Sequence, residues 1–402
     1  MGLILNDLKN VCELEHVCDY VNNRTTSSMN YISTENMLPN KGGISESTII
    51  PPGTTIEYKI GDILISNIRP YFQKIWYADR CGGCSADVLC IRAKENTDSK
   101  YLYYLLSQQA FFDYVMSGAK GCKMPRGDKK QIMQWPVNIP AIDVQKKVVA
   151  ILSSLDNKIR LNRRINDNLE EQAKALFKSW FVDFEPFKGG KFVDSKLGPI
   201  PEGWSIGKVN DVVQILSGFA FKSETFVQSG PYRLITIKGV QDGYLDISGA
   251  SYISKVPLKM PAYCNLEIGD ILLSLTGNVG RVCIVDRPNL LLNQRVAKLQ
   301  PRRDKQDLLF VYILFRQDTF KNHLLQIARG TAQLNLSPVE TREISIILPP
   351  ANVLLEFSKI GQYLFDKIAL SNQETLRLSA LRDTLLPKLM SGELSVEEVS
   401  FD

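Results

Sequence analysis

Histidine is nearly absent from this chain, with His16 and His323 the only two among 402 residues. Neither stands near a plausible nucleophile, so acid–base catalysis of the histidine type has little to work with. A phosphate-cradling Walker loop is missing as well. Gly203-Trp-Ser-Ile-Gly207-Lys208-Val209 is one residue short and ends in Val. The Asp/Asn-Pro-Pro-aromatic signature of amino-methyltransferases does not occur. Glu57-Tyr-Lys59 resembles half of a nuclease motif, but no Asp stands at a suitable distance upstream, and a surface strand is the reading preferred. Asp62 and Asp270, each between a Gly and an apolar run, read as turn formers. The eight cysteines are Cys12, Cys18, Cys81, Cys84, Cys90, Cys122, Cys264 and Cys283. Cys81-Gly-Gly-Cys84 has a zinc-type spacing without a second pair, so plain buried, reduced thiols are expected and no metal. No apolar run reaches the roughly 18 residues of a membrane span. The opening MGLILNDLKN is apolar too briefly for a secretion signal, and a cytoplasmic location is expected. The net charge of +5 is mild; it permits an anionic partner without demanding one.

Glycine and proline are also missing from one long stretch, Ala141 to Phe184, which follows Pro140. Apolar residues recur there at alternating steps of four and three: Val148, Leu152, Leu155, Ile159, then Leu169, Ala173, Leu176, Trp180. That is the narrow seam of a coiled-coil helix, about 66 Å long at about 1.5 Å per residue. Asn162 and Asn166 interrupt the seam. A helix of this length cannot bury its own seam, so a partner is required. The partner lies in the same chain, from Pro350 to Ser391, where Phe357, Leu364, Ile368, Leu378, Leu385 and Leu389 continue the pattern. Lys158-Ile159 matches Lys367-Ile368, a shift of 209, and Ser371 and Thr375 stand where the Asn pair stands. The chain is an internal duplication of long period.

The globular parts repeat as well. Ile60-Gly-Asp-Ile-Leu-Ile-Ser66 recurs as Ile268-Gly-Asp-Ile-Leu-Leu-Ser274. The aromatic helical stretch Tyr101–Met116 recurs over Leu308–Ala328, and Ala119–Gly127 recurs as Ala328–Leu336. The expected fold class is therefore α+β. Two tandem mixed α/β domains, at 1–140 and 204–349, are separated by two long helices at 141–185 and 350–391. The helices are expected to pair as an intramolecular antiparallel coiled coil, relating the halves by a pseudo-two-fold, with Asn162 and Asn166 facing Thr375 and Ser371. Residues 186–203, dense in Gly and Pro, read as a linker, and the acidic 392–402 as a frayed tail.

In place of a catalytic constellation, the domains carry polar and basic loops at corresponding places. The first has Asn67, Arg69, Tyr71, Gln73 and Lys74, then Lys120, Lys123, Arg126, Lys129 and Lys130. The second has Thr276, Asn278 and Arg281, then Asn293, Gln294 and Arg295, then Arg329, Thr331, Gln333 and Asn335. Arg offers two donors to guanine O6 and N7, while Asn and Gln match adenine N6 and N7. Single polar loops are usually solvated turns; recurrence in both halves raises the weight of a DNA-reading role.

On Gly61–Pro70, Gly269–Arg281, Ala328–Ser337 and the Ile-Pro and Leu-Pro-Pro entries to the long helices, the chain resembles the specificity subunits of Type I restriction–modification systems. The resemblance covers nearly the whole chain. Two departures are visible. Where the family often has Glu-Gln after the helix-entry prolines, this chain has Val144-Gln145 and Leu354-Leu355, and the loop at Gly121 lacks the Thr-rich pattern kept at Gly330. The resemblance implies two target-recognition domains, each reading one half of a split, asymmetric site on double-stranded DNA. It implies helices that set the spacer, up to about 19 base pairs at about 3.4 Å each. Modification (methyltransferase) subunits would dock on the helices and domains, and restriction subunits would join them. S-adenosylmethionine, ATP and Mg would belong to those partners, with no cofactor, active site or membrane association in this chain. The competing expectations are a self-contained DNA-modifying or DNA-cleaving enzyme and a structural coiled-coil adaptor.

Overall fold

The computed structural model describes residues 11–26, 30–47, 53–121, 123–247, 249–303, 305–331 and 333–399. The chain packs as two compact units, one built on residues up to Asn157 and from Leu378 onward, the other on Lys158–Arg377. The helices set apart as segments of their own in the sequence reading are thus each shared between the units.

In the first unit, the strands Cys18–Tyr20, Val88–Ala93, Ile63–Ser66 and Ile75–Tyr77 lie in that order in an antiparallel sheet. A smaller sheet joins Arg24–Thr25, Thr55–Tyr58 and Gly82–Cys84. The strand Ile63–Ser66 is buried along its whole length, which explains its unbroken apolar run Ile63-Leu64-Ile65. The stretch expected as one aromatic helix is two: α1, Ser99–Leu106, and α2, Gln109–Ser117. The break falls at Ser107, whose hydroxyl caps the Tyr103 carbonyl, and Gln108 is extended. A short α3, Lys129–Met133, and the strand Pro136–Asn138 lead into the long helix α4, Ile142–Phe181.

Gln145 pins that entry. It is fully buried; its Oε1 accepts the Asp98 N–H at 2.8 Å, and its Nε2 donates to the carbonyls of Asn96 and Pro140. Val148 and Leu152 of α4 then share a core with Leu386, Leu389 and Met390 near the end of a second long helix, Ala351–Ser391. Asp156 links the same two helices: its carboxylate accepts the Tyr104 hydroxyl at 2.7 Å and pairs with Arg382 at 3.0 Å. The expected frayed tail is docked over its described part, 392–399. Ser395 and Glu398 form a capping box, and Leu394, Val396 and Val399 cover the core.

The second unit repeats the sheet with Val213–Ser217, Val296–Pro301, Ile271–Ser274 and Val282–Ile284. A five-stranded sheet carries Phe226–Val227, Tyr252–Ile253, Tyr232–Ile235, Leu290–Leu292 and Asn265–Leu266. Its helices are α5 (Val209–Val212), α6 (Leu308–Arg316), α7 (Asp318–Ile327) and α8 (Pro338–Arg342), followed by α9, the second long helix. Here too the expected single helix is broken, at the extended Gln317. The expected linker carries structure: Phe192–Val193 pairs with Ile200–Pro201, Ile200 is a core residue, and Phe187 packs against the same core. Its Gly and Pro content concealed these apolar anchors.

Within this unit α4 and α9 run antiparallel. Along α4 the contacts run Lys158–Glu374, Asn166–Asn372 and Phe181–Phe357, so α9 numbers fall as α4 numbers rise. The polar layer exists with different partners. Asn162 donates to Glu374 at 2.8 Å, Asn166 to Asn372 at 2.6 Å, and Ser371 to the Asn162 carbonyl at 3.3 Å. Glu374 and Asn372 thus take the Asn162 and Asn166 amide groups, and Ser371 keeps its place in the layer through its hydroxyl. Gly361 allows α6 to approach α9, since a Cβ there would meet the Leu309 side chain at 2.5 Å.

Candidate nucleic-acid interface

Each unit carries a clasp of loops joined by main-chain hydrogen bonds. In the first, the loop after Ile63–Ser66 meets the loop before α3. Arg69 N–H donates to Pro125 O at 2.8 Å, Ile68 and Arg126 form an antiparallel bridge, and Lys120 and Arg126 exchange both main-chain bonds. Asn67 N–H donates to Asp87 O at 2.9 Å, which brings in a third segment. In the second, Gly277 donates to Leu334 at 2.9 Å, Thr276 bridges Asn335, Arg329 and Asn335 exchange both bonds, and Leu275 donates to Arg295 at 2.9 Å. The correspondence is residue by residue: 69 with 277, 87 with 295, 120 with 329, 126 with 335. One frame is built twice and dressed with different side chains.

The frames differ by one residue at the tip. Ser66 N–H reaches Lys74 O, whereas Ser274 N–H reaches Arg281 O one step sooner. The extra residue sits in a single 3-10 turn, Pro70–Phe72, flanked by Arg69 at φ 51° and Gln73 at φ 50°. Left-handed backbone at two non-glycine residues is strained, and such strain gathers at functional tips. Tyr71 and Phe72 stand 50% and 37% exposed on this tip, their rings 4.7 Å apart. The second unit has Asn278, a buried Val279 and Gly280 there instead.

The candidate readers divide into braces and exposed groups. Asn67 and Thr276 are buried, and the Thr276 hydroxyl donates to Asn335 Oδ1 at 2.8 Å. Gln73 bonds Gln109, and Arg281 bonds Gln241. Lys74 donates to Thr34 O at 2.7 Å, and burial lowers its pKa. Arg69 is half-buried, and Asn293 turns its Oδ1 back to the Gln294 N–H. The bonded ones hold the loops in shape, whereas Asn67 Oδ1 and Arg69 Nε are buried without a hydrogen-bond partner. The groups facing outward are Lys120, Lys123, Arg126, Lys129 and Lys130 in the first unit, and Asn278, Gln294, Arg295, Arg329, Thr331, Gln333 and Asn335 in the second. Lys120 pairs with Asp128, whose carboxyl it holds below the usual range together with the N–H groups at the start of α3. Arg329 pairs with Glu340. Arg126 lies 3.3 Å from Asp87, and Arg295 donates to Asn335 Oδ1 at 3.2 Å. Asp87 was absent from the candidates read off the sequence. Its signal was available, since a shift of 208 places it on Arg295, each just before a sheet strand.

Asp62 and Asp270 do cap their turns, accepting the N–H of Lys59 and Glu267, and each also pairs with a cation on a neighbouring strand, Arg92 and Lys298. Cys18 and Cys84 are buried thiols pushed up to about 12 by burial. Cys81 is exposed, against the expectation of uniform burial, and Cys122 lies outside the described residues. Among the described residues, no group of three or more His, Cys, Asp or Glu side chains is arranged to hold a metal ion, and no helix is long and apolar enough to cross a membrane.

A frame built twice, presenting a guanine-matching Arg in both units and adenine-matching amides in the second, is suited to reading base edges. The sequence profile of the Type I restriction modification DNA specificity domain matches residues 6–171 and 201–379. The chain belongs to this family. As a Type I specificity protein it provides DNA sequence specificity rather than catalysis, within a family whose members assemble with other subunits. It is 29% identical over 314 residues to the Type I restriction enzyme MjaIX specificity subunit of Methanocaldococcus jannaschii, covering 76% of this chain and 71% of that one. It is 26% identical over 441 residues to the HindI specificity subunit of Haemophilus influenzae, covering 90% and 94%. The crystal structure of a Type I S subunit from M. genitalium shares the fold at a TM-score of 0.50, with 17% identity over 96% and 98% of the two chains.

Proposed function

We propose that each clasp of this Type I specificity protein reads one half of a split, asymmetric site on double-stranded DNA. The observation that carries this reading is the duplicated clasp: a shared main-chain frame with unlike outward side chains is what two readers of unlike half-sites require. The long helices set the spacer between half-sites and dock modification subunits. Supporting the docking role, α4 leaves Leu161 and Ile165 exposed one turn apart, and α9 leaves Ile360, Tyr363 and Leu370 exposed on one stripe. Restriction subunits join that assembly. S-adenosylmethionine, ATP and Mg are held by the partners, and the assembly works in the cytoplasm. Methylation mapping in a host carrying this chain with its partner subunits tests the proposal. A split adenine motif with two unlike halves is expected; a continuous motif, or none, overturns it.

Two substitutions separate base readout from phosphate contact. Arg295→Ala removes a bidentate donor and is expected to cost about 1–3 kcal/mol of specific binding, with discrimination relaxed at one position of one half-site. Competition titrations against single-base variants of the mapped site check this; an unchanged ranking of the variants counts against it. Lys123→Ala with Lys129→Ala is expected to weaken binding evenly across sequences and to flatten the dependence of log K on log salt by up to about 2. An unaltered salt slope denies these lysines a phosphate role.

A further inference from the structure

We propose that the side-chain pair Asp87 and Arg126 of the first unit, and the pair Arg295 and Asn335 at the same two frame positions of the second, are specificity-determining pairs, each reading one base pair of its half-site. The inference rests on the DNA-reading function above and names residues within it. The equivalence comes from the backbone. Asp87 O and Arg295 O accept from the first loop residue after the shared strand, and Arg126 and Asn335 each bridge that loop one residue later. The side chains meet across the clasp in both units, at 3.3 Å and 3.2 Å. The guanidinium comes from opposite sides of the clasp: from the later loop as Arg126, from the earlier segment as Arg295.

The acceptors differ in a way that decides what each pair can read. In the first unit the Asp87 carboxylate is partly exposed, and Arg126 touches it through Nη2 alone. A carboxylate only accepts hydrogen bonds, so at a base edge it takes the amino group of cytosine or adenine and repels the acceptor atoms of guanine and thymine. The first pair thus presents an acceptor beside a donor fork. In the second unit, Asn335 Oδ1 already receives the Thr276 hydroxyl and Arg295. Arg can only donate, so the atom facing it must be the amide oxygen, and the amide nitrogen is what Asn335 offers outward. The second pair is donors alone, matched to the acceptors of guanine or to thymine O4. The backbone of each pair is held by main-chain bonds, so the places from which its two side chains reach are set before DNA arrives.

The test uses the full-length chain and a pool of randomised duplexes, sequencing the bound fraction. Wild type is expected to enrich a split motif. Asp87→Asn, which keeps the shape and removes the charge, is expected to lower discrimination about tenfold or more at one position of one half-site, leaving the other half intact. Asn335→Asp is expected to act on the other half, shifting one position toward a base carrying an amino group. Asp87→Arg with Arg126→Asn transplants the second pair and is expected to shift the same first-half position toward guanine or thymine. Motifs unchanged in all three variants, with unaltered melting temperatures, overturn the inference while leaving the split-site reading in place. A uniform loss of affinity across all sequences overturns it too, since that is the signature of a structural or phosphate role. A wild-type chain that enriches no motif overturns the DNA-reading function and this inference with it.

Discussion

Arg316→Ala is expected to destabilise the second unit by about 3–5 kcal/mol, the cost of breaking a buried ion pair from one side. Arg316 ends α6, and its side chain is only 10% exposed; it pairs with Glu170 of α4, itself 13% exposed. It also reaches Asp242 at 2.9 Å and the Val282 carbonyl at 3.2 Å, and lies over the Tyr312 ring, whose hydroxyl bonds the same Glu170 at 2.6 Å. Truncation leaves the buried Glu170 carboxylate with only a tyrosine hydroxyl, while the more exposed Asp242 keeps Lys321. Lys in place of Arg keeps the charge but not the planar fork that spans Glu170, Asp242 and Val282, so Arg316→Lys should recover only part of the loss. Replacing both partners, Glu170→Leu with Arg316→Met, should recover more, because no lone charge then remains buried. Denaturant unfolding followed by hydrogen exchange over 308–316 measures all three. A loss below about 0.5 kcal/mol for the alanine variant would mean the network is solvated and structurally idle.

The same network shows what the sequence conveyed and what it did not. The repeat, the two long helices and the sheet strands were legible because periodicity and duplication report on burial, and burial dominates the fold. Tyr104 and Tyr312 occupy one repeat position, yet their acidic partners, Asp156 and Glu170, both come from α4 and do not occupy equivalent positions. The duplication therefore could not reveal them. The breaks at Ser107 and Gln317 were hidden because the apolar period continues across a kink that carries neither Gly nor Pro. In the candidate site, residue type identified the loops but not which side chains face out. Asn67 and Thr276 belong to the right segments and are buried, because each lies within two residues of the end of a strand buried along its whole length. Arg295 and Asn335 were legible as types; that they touch each other depends on a bridge between segments 40 residues apart.

Phe357→Ala is expected to cost the second unit a further 3–5 kcal/mol or so by itself, from lost transfer energy and an unfilled cavity. Phe357 is fully buried in α9 and meets Phe181 at 4.7 Å and Trp180 at 5.8 Å between ring centroids, with Phe177 and Phe310 each at 6.3 Å. These rings come from α4 and α6 as well as α9. A hole at their centre is walled by three helices, each held elsewhere by its own contacts, so collapse into it is limited. Edge-to-face pairs with Phe181 and Trp180 add about 0.5–1.5 kcal/mol beyond area burial, which a leucine would also forfeit. Phe357→Leu should therefore lose about 1–2 kcal/mol despite filling much of the volume. The first unit supplies an internal comparison. The position matched by the 209 shift is Val148, a smaller residue buried in the core that also holds Leu389 and Met390. Val148→Ala removes two methyl groups and should cost only about 1–2 kcal/mol. Urea unfolding monitored by the fluorescence of Trp180 and Trp204 for the second unit, and of Trp76 and Trp135 for the first, resolves the contrast. Equal losses at the two positions would show that the aromatic cluster is not what fastens α6 to the helix pair. A large loss confined to Phe357 would show that a ring at this position clamps one unit where its repeat makes do with a smaller side chain.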